Sequence, residues 1–437
     1  MRVLIDRCRS AFIAVLLATL TAISPGFVTE PAYADSVRNE QWQLGTLNAA
    51  AAWELSTGRG VTVAILDSGV DANHVDLAGQ VLPGIDLVDG SSDGRVDPVG
   101  HGTTVAALIA GKRDDDGVVG IAPEAKILPV RVLDRQNRYD DASVVAKGLR
   151  WAVDHGATVV NLSLGGVTQS DLLASALEYA AERDVVVIAC TGNIAQTTGT
   201  DLRVWYPARE PGVVAVTGLR NPSTTTTQNW LDRPAGGDDL WPGSLTGPET
   251  VLSAPAATLV GARPGGYWRV QGTSFAAPMV MATAALIASR HPRANAATVI
   301  NRLIGTATDL GTPGRDARYG YGLVDPYRAV TGTIPEVGRN PLTDPQNLAQ
   351  PATGAPDQKT GAASPTNPEP AGAGNPADPT TSTPAVAAAK TARTLSPLDL
   401  AAVATVPVII LALLAAAAYA DRRGLLSRYR RSARHSR

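Results

Sequence analysis

The chain has 437 residues, 44% hydrophobic and 18% charged, with a formal net charge of −2; it is too long and too apolar for one small module or a wholly disordered chain. With no basic excess overall, the electrostatic case for nucleic-acid binding disappears. The average conceals a segregation: Arg2, Arg7 and Arg9 face one acid, Asp6, at the start, and seven arginines face Asp421 alone over residues 421–437. Cationic ends beside apolar runs are what membrane insertion reads.

In chain order, residues 11–23 form an apolar run behind the basic start and ahead of Ala32-Tyr33-Ala34. This is the layout of a signal peptide, 1–34, cleaved after Ala34, since the run is shorter than the roughly 20 apolar residues that span a bilayer. Cleavage removes Cys8 and leaves Cys190 as the sole thiol, so no intramolecular disulfide forms and stability must come from a core. Residues 35–60 carry Trp42, Leu44, Leu47 and Trp53, either anchors of an amino-terminal extension or core residues of a first helix.

Within a globular region at 35–330, short apolar runs at 61–66, 126–133, 158–164, 185–189 and 213–219 predict strands. The intervening stretches 101–111, 141–155, 170–183 and 274–290 place apolar residues at helical spacing. The alternation predicts an α/β fold of parallel strands joined by crossover helices, with chemistry at the strands' C-terminal ends. Residues 221–249, with Trp230 and Trp241, form a long connection placed to edge a cleft. Residues 331–397 hold 11 prolines between Pro335 and Pro384 and no apolar cluster, which predicts an extended, disordered stalk. From 398 to 420, LDLAAVATVPVIILALLAAAAYA carries one charge and, as a helix, reaches about 30 Å at about 1.5 Å per residue, enough to span a membrane once. The arginines that follow keep the tail, 421–437, cytoplasmic and the globular head outside.

Three residues supply complementary chemistry. Asp67 ends the run VTVAILDSGV; alone it reads as a turn aspartate. His101 opens HGTTVAALIAG between Gly100 and Gly102, and Ser274 lies in GTSFAAPMV, where a glycine-bearing turn delivers a serine to the start of a helix. A serine hydroxyl is a weak nucleophile until a base takes its proton, and an imidazole base needs a carboxylate to fix its tautomer. Acyl transfer also needs donors aimed at an oxyanion, and the Asn193 amide in ACTGN, with the Ser274 backbone N–H, fits that need.

The motifs DSGV at 67–70, HGTTVA at 101–106, NLSLGG at 161–166, TGN at 191–193 and GTSFAAP at 272–278 together resemble the subtilisin-like serine proteases. The resemblance implies a three-layer fold around a seven-stranded parallel sheet and catalysis of peptide hydrolysis. Asp67 then orients His101, His101 is general base and acid, Ser274 is the nucleophile and Asn193 completes the oxyanion hole. Ser163, Leu164 and Gly165 would line the groove that pairs substrate backbone, with Gly192 near the primary specificity pocket, and YGYGLVDPYRAV at 319–330 looks like the closing segment of the domain.

Signal peptide, protease-like domain, proline-rich stalk, single span and basic tail together resemble the mycosins, membrane-anchored proteases of type VII secretion systems. That implies peptide substrates, association with a secretion membrane complex and no cofactor. Two other readings remain open: a mainly structural subunit of that complex, and a surface protease unrelated to it. Mycosins commonly carry disulfides that this chain lacks, and Cys190 stands where a small residue is usual, as a small buried hydrophobe rather than a redox switch. Residues 35–60 are too short for a separately folded inhibitory prodomain. Asp114, Asp115 and Asp116 read as a solvated turn rather than a calcium loop, so no metal site is expected, and His74 and His155 read as structural or surface residues.

Overall fold

A computed structural model describes residues 37–343 apart from 115, 140, 198–200 and 222–238. The signal peptide, residues 344–397 of the stalk, the 398–420 span, the basic tail and Trp230 lie outside the described residues. The first part of the expected stalk, 331–343, instead packs on the globular body: Val337 N donates to Thr298 Oγ1, Asn340 Nδ2 donates to Gly212 O, and Leu342 is buried, so the domain extends past 330. Among the described residues, no helix is long and apolar enough to cross a membrane.

Seven parallel strands form the central sheet: β1 (Thr62–Asp67), β2 (Ile85–Asp86), β3 (Lys126–Arg131), β4 (Val159–Leu162), β5 (Val186–Cys190), β6 (Val214–Leu219) and β7 (Leu252–Pro255), in the order β2-β3-β1-β4-β5-β6-β7. Because β1 pairs with β3 on one side and β4 on the other, the order reverses about β1, the kind of switch point where α/β sheets open a crevice beyond their strand ends. β1 and β3–β6 are buried almost throughout, as strands covered on both faces must be. The five runs predicted from sequence are β1 and β3–β6. Missed were β2, only two residues long, and β7, whose LSAP segment carries no apolar run. An antiparallel hairpin of β8 (Leu259–Arg263) and β9 (Gly266–Val270) was also missed.

The helices are α1 (Trp42–Thr46), α2 (Ala49–Trp53), α3 (His101–Ala110), α4 (Ala142–Asp154), α5 (Asp171–Glu182), α6 (Thr273–Arg290), α7 (Ala296–Gly305) and α8 (Pro326–Thr331). Asp141 and Ser170 cap α4 and α5 by accepting from Ser143 N and Leu173 N. α6 is buried on every side from Thr273 to Ile287, so it shows no amphipathic stripe and behaves as the core's axis.

The amino-terminal segment is part of this body. Trp42 Nε1 donates to the carbonyls of Ala257 and Thr258, Trp53 Nε1 donates to Ile121 O, and Leu47 is fully buried. Arg38 spreads its guanidinium over the acidic turn, donating to Gly117 O (3.0 Å), Asp114 O (3.0 Å) and Asp116 O (2.8 Å). The side chains of Asp114 and Asp116 face solvent as expected, but the carbonyls of the turn converge on this cation. No group of three or more His, Cys, Asp or Glu among the described residues could hold a metal ion. His74 is buried against Tyr267, and the exposed His155 stacks on Trp151.

Candidate active site

β1 ends at Asp67, which is fully buried; its Oδ1 accepts from Ser68 N and lies 2.7 Å from His101 Nδ1. The approach of α3 to β1 depends on glycine: a Cβ on Gly102 would stand 2.0 Å from Gly69 O and 3.1 Å from Asp67 Cβ. Gly100, at φ +89°, makes the turn into the helix. Burial opposes charging His101, but the Asp67 carboxylate and its hydrogen bond outweigh that, with a smaller push from Asp97, so the imidazole pKa is raised.

Asp97 went unnoticed in the sequence. It is buried, and its carboxylate accepts from Ser68 Oγ (2.9 Å), Val99 N (2.9 Å), Gly100 N (2.7 Å), Thr103 N (2.8 Å) and Thr103 Oγ1 (2.6 Å). Ser68 Oγ in turn accepts from Gly102 N. One carboxylate therefore ties the end of β1 to the first turn of α3 and fixes His101 relative to Asp67. The available signal was an acid four residues before a helix-opening histidine with a threonine two residues after it, a spacing suited to capping.

Ser274 occupies the first turn of α6, preceded by Gly272 at φ +146°. The neighbouring Phe275 ring lies 5.3 Å from the His101 ring, centroid to centroid. Ser274 Oγ is not hydrogen-bonded to His101 and instead lies 3.9 Å from Cys190 Sγ; a serine rotamer change would reorient the hydroxyl, and nucleophile–base contacts are often long in substrate-free sites. Cys190 is fully buried and burial raises its pKa to about 11, so it is a neutral thiol packed under the serine.

Asn193 is braced against the same helix. Its Oδ1 accepts from Thr273 N and Thr273 Oγ1, both at 3.0 Å, while Nδ2 gives one proton to Gln196 Oε1 at 2.9 Å and keeps a second. The returning end of the 221–249 connection reaches this segment through Ile194 N to Gly243 O. Ser163 turns its hydroxyl inward, accepting from Asn161 Nδ2 and donating to Ser274 O at 2.6 Å; Leu164 is buried in the core, so both offer their backbone rather than their side chains to the cleft. Gly165 and Gly192 both face Trp205, which sequence reasoning did not single out. A cleft of about 680 Å3 runs past Tyr139, Gly165, Gly166, Gln196 and Thr197 as far as this tryptophan.

The arrangement combines an oriented imidazole, a hydroxyl at a helix start and a carboxamide donor at the ends of β1, α3, β5 and α6. The profile of the Subtilase family of peptidases matches residues 58–322. Fervidolysin of Fervidobacterium pennivorans is 35% identical over 325 residues, which are 70% of this chain and 46% of that protein. Thus the chain spans less than half the length of that relative. Among solved structures, MycP1 from Mycobacterium smegmatis superposes with a TM-score of 0.57 at 27% identity, covering 68% of this chain and 86% of that one. The MycP3 protease from the type VII (ESX-3) secretion system gives 0.56 at 29%, covering 67% and 88%. The chain belongs to the subtilase family.

Proposed function

We propose that this chain is a serine endopeptidase in which Asp67, His101, Ser274 and Asn193 carry acyl transfer. The observation that carries the reading is the 2.7 Å contact of Asp67 with His101 beside the helix start that bears Ser274. In the first step Ser274 Oγ bonds to the substrate carbonyl carbon as its proton passes to His101 Nε2. The developing oxyanion accepts from the second Nδ2 proton of Asn193 and from the Ser274 backbone N–H. His101 then returns the proton to the leaving amine as the peptide C–N bond breaks, and water repeats the sequence to release the acid. Asp67 stabilises the imidazolium that forms between the steps.

We further infer that the protease acts outside the cytoplasmic membrane, released from a signal peptide at 1–34 and held by one helix at 398–420 on a stalk spanning 344–397, with residues 421–437 inside. The likeness to MycP1 and MycP3, the latter from a type VII secretion system, supports substrates and a membrane complex of that kind. The test is a fluorophosphonate probe on the full-length chain in mild detergent, compared with Ser274→Ala and His101→Ala. Stoichiometric labelling at Ser274, lost in both variants, is expected. No labelling of a folded chain sinks the enzyme reading and leaves a structural role, which assembly of the secretion complex in cells carrying Ser274→Ala reads directly.

A further inference from the structure

A slot beside Ser274 is already filled. In the subtilase reading, the residue before the scissile bond seats its side chain near Gly192, between the two backbone segments that flank the serine. One is Ser163–Gly165, tied in by Ser163 Oγ to Ser274 O; the other is Thr191–Asn193, tied in by Asn193 Oδ1 to Thr273 N and by Gly192 N to Thr273 Oγ1. Both segments present glycine, Gly165 and Gly192, which leaves a gap between them.

Trp205 occupies that gap. A Cβ placed on Gly192 would lie 2.4 Å from Trp205 Cδ2 and 2.7 Å from Cγ, and one on Gly165 would lie 3.2 Å from Trp205 Cβ and 3.5 Å from Cε3. The indole therefore spans from one glycine to the other. Its backbone is held on both sides: Trp205 N donates to Thr191 O, and Tyr206 exchanges a pair of hydrogen bonds with Gly166. Trp205 is 7% exposed, and among the described residues its buried Nε1 has no hydrogen-bond partner. On the inner side Cys190 Sγ, fully buried, contacts both Leu164 O and Ser274 Oγ at 3.9 Å, so the slot cannot deepen toward the core.

We propose that Trp205 closes the primary specificity slot, so that the chain accepts only Gly, Ala or Ser immediately before the scissile bond. This rests on the protease reading above and narrows it to a substrate class. A long, branched or aromatic side chain has to displace an indole anchored on both sides by backbone, whereas a methyl or hydroxymethyl group fits against its face.

The test separates binding from hydrolysis. On the full-length Ser274→Ala chain, fluorescence anisotropy is measured with dansyl-Ala-Ala-Pro-Ala-Ala-Ala and its counterpart with Phe as fourth residue. The Ala peptide is expected to bind about 100-fold tighter, the scale on which shaped pockets reject misfitting side chains. Trp205→Gly, or Trp205→Val as a better-packed alternative, is expected to bring the ratio to about unity or reverse it, relieving the block in the manner such pockets allow. Comparable binding of the two peptides to the Ser274→Ala chain, binding of neither, or an unchanged ratio in a folded Trp205 variant overturns the proposal. Hydrolysis by the chain with Ser274 intact is read separately: an Ala preference in binding without any hydrolysis supports the closed slot and refutes the protease reading.

Discussion

Replacing Asp97 tests how the site is held. Its carboxylate is buried and accepts five hydrogen bonds, of which three come from the amides of Val99, Gly100 and Thr103, fixed by the turn into α3. In Asp97→Ala the Ser68 and Thr103 hydroxyls can rotate to other acceptors, but the amides cannot. An orphaned buried donor costs about 1–3 kcal/mol, and one of the three is partly open to water, so a net loss of about 3–5 kcal/mol is expected, the range for breaking a buried charged contact. The assay is urea unfolding in a Ser274→Ala background, to exclude self-cleavage, with the midpoint falling at constant slope. Asp97→Asn keeps an acceptor oxygen but removes the charge that helps raise the His101 pKa. In the chain with Ser274 intact, the acid limb of kcat/KM should therefore move to lower pH. A loss below about 1 kcal/mol in Asp97→Ala, or an unmoved limb in Asp97→Asn, refutes the view that Asp97 positions and tunes the histidine.

Four further outcomes are expected. Asn193→Ala lowers kcat by about 10²- to 10³-fold with KM little changed, because its donor matters chiefly to the oxyanion; steady-state peptide hydrolysis measures this. With the His101 pKa raised and only the neutral imidazole able to accept the Ser274 proton, kcat/KM falls as pH drops through a value above the ordinary imidazole pKa of about 6.5; a pH–rate profile with its midpoint below that value contradicts this. Cys190, a buried thiol with a pKa of about 11, stays unreactive toward a disulfide reagent near pH 8 in the native chain and reacts after unfolding, so fast native labelling would disprove its burial. Arg38→Met removes the cation gripping the 114–117 turn and speeds amide hydrogen exchange there, at a cost of about 1–3 kcal/mol for contacts to a charged donor; unchanged exchange in that turn speaks against the brace.

The residues proposed to carry the chemistry each sit in a local signature. Asp67 follows a buried apolar run, His101 stands between two glycines at a helix start, and Ser274 follows Gly272 on a helix of small residues. β1 and β3–β6 were legible for a related reason, since strands buried on both faces read as unbroken apolar runs. The edges were not. β2 has two residues, and β7 and the β8–β9 hairpin carry no pattern that a short window resolves. Of the helices, α7 and α8 were passed over although α7 carries an Asn295 cap and α8 an Asp325 cap with proline in its first turn.

Composition and motif order alone determined the α/β class, the position of the candidate site at strand ends, and the expectation of an exported chain with a membrane span. Those properties reside in contiguous residues: periodicity, a glycine beside a functional group, or an apolar run of a given length. The positioning of the site was decided only in three dimensions. Asp97 and Ser68 meet across 29 positions, Arg38 and Gly117 across 79, and Thr273 and Asn193 across 80. Trp205 faces two glycines contributed by different strand ends. Hydrogen bonds and steric exclusion act over a few ångströms, and which distant residues come within that range is set by the order of strands in the sheet rather than by their order in the chain.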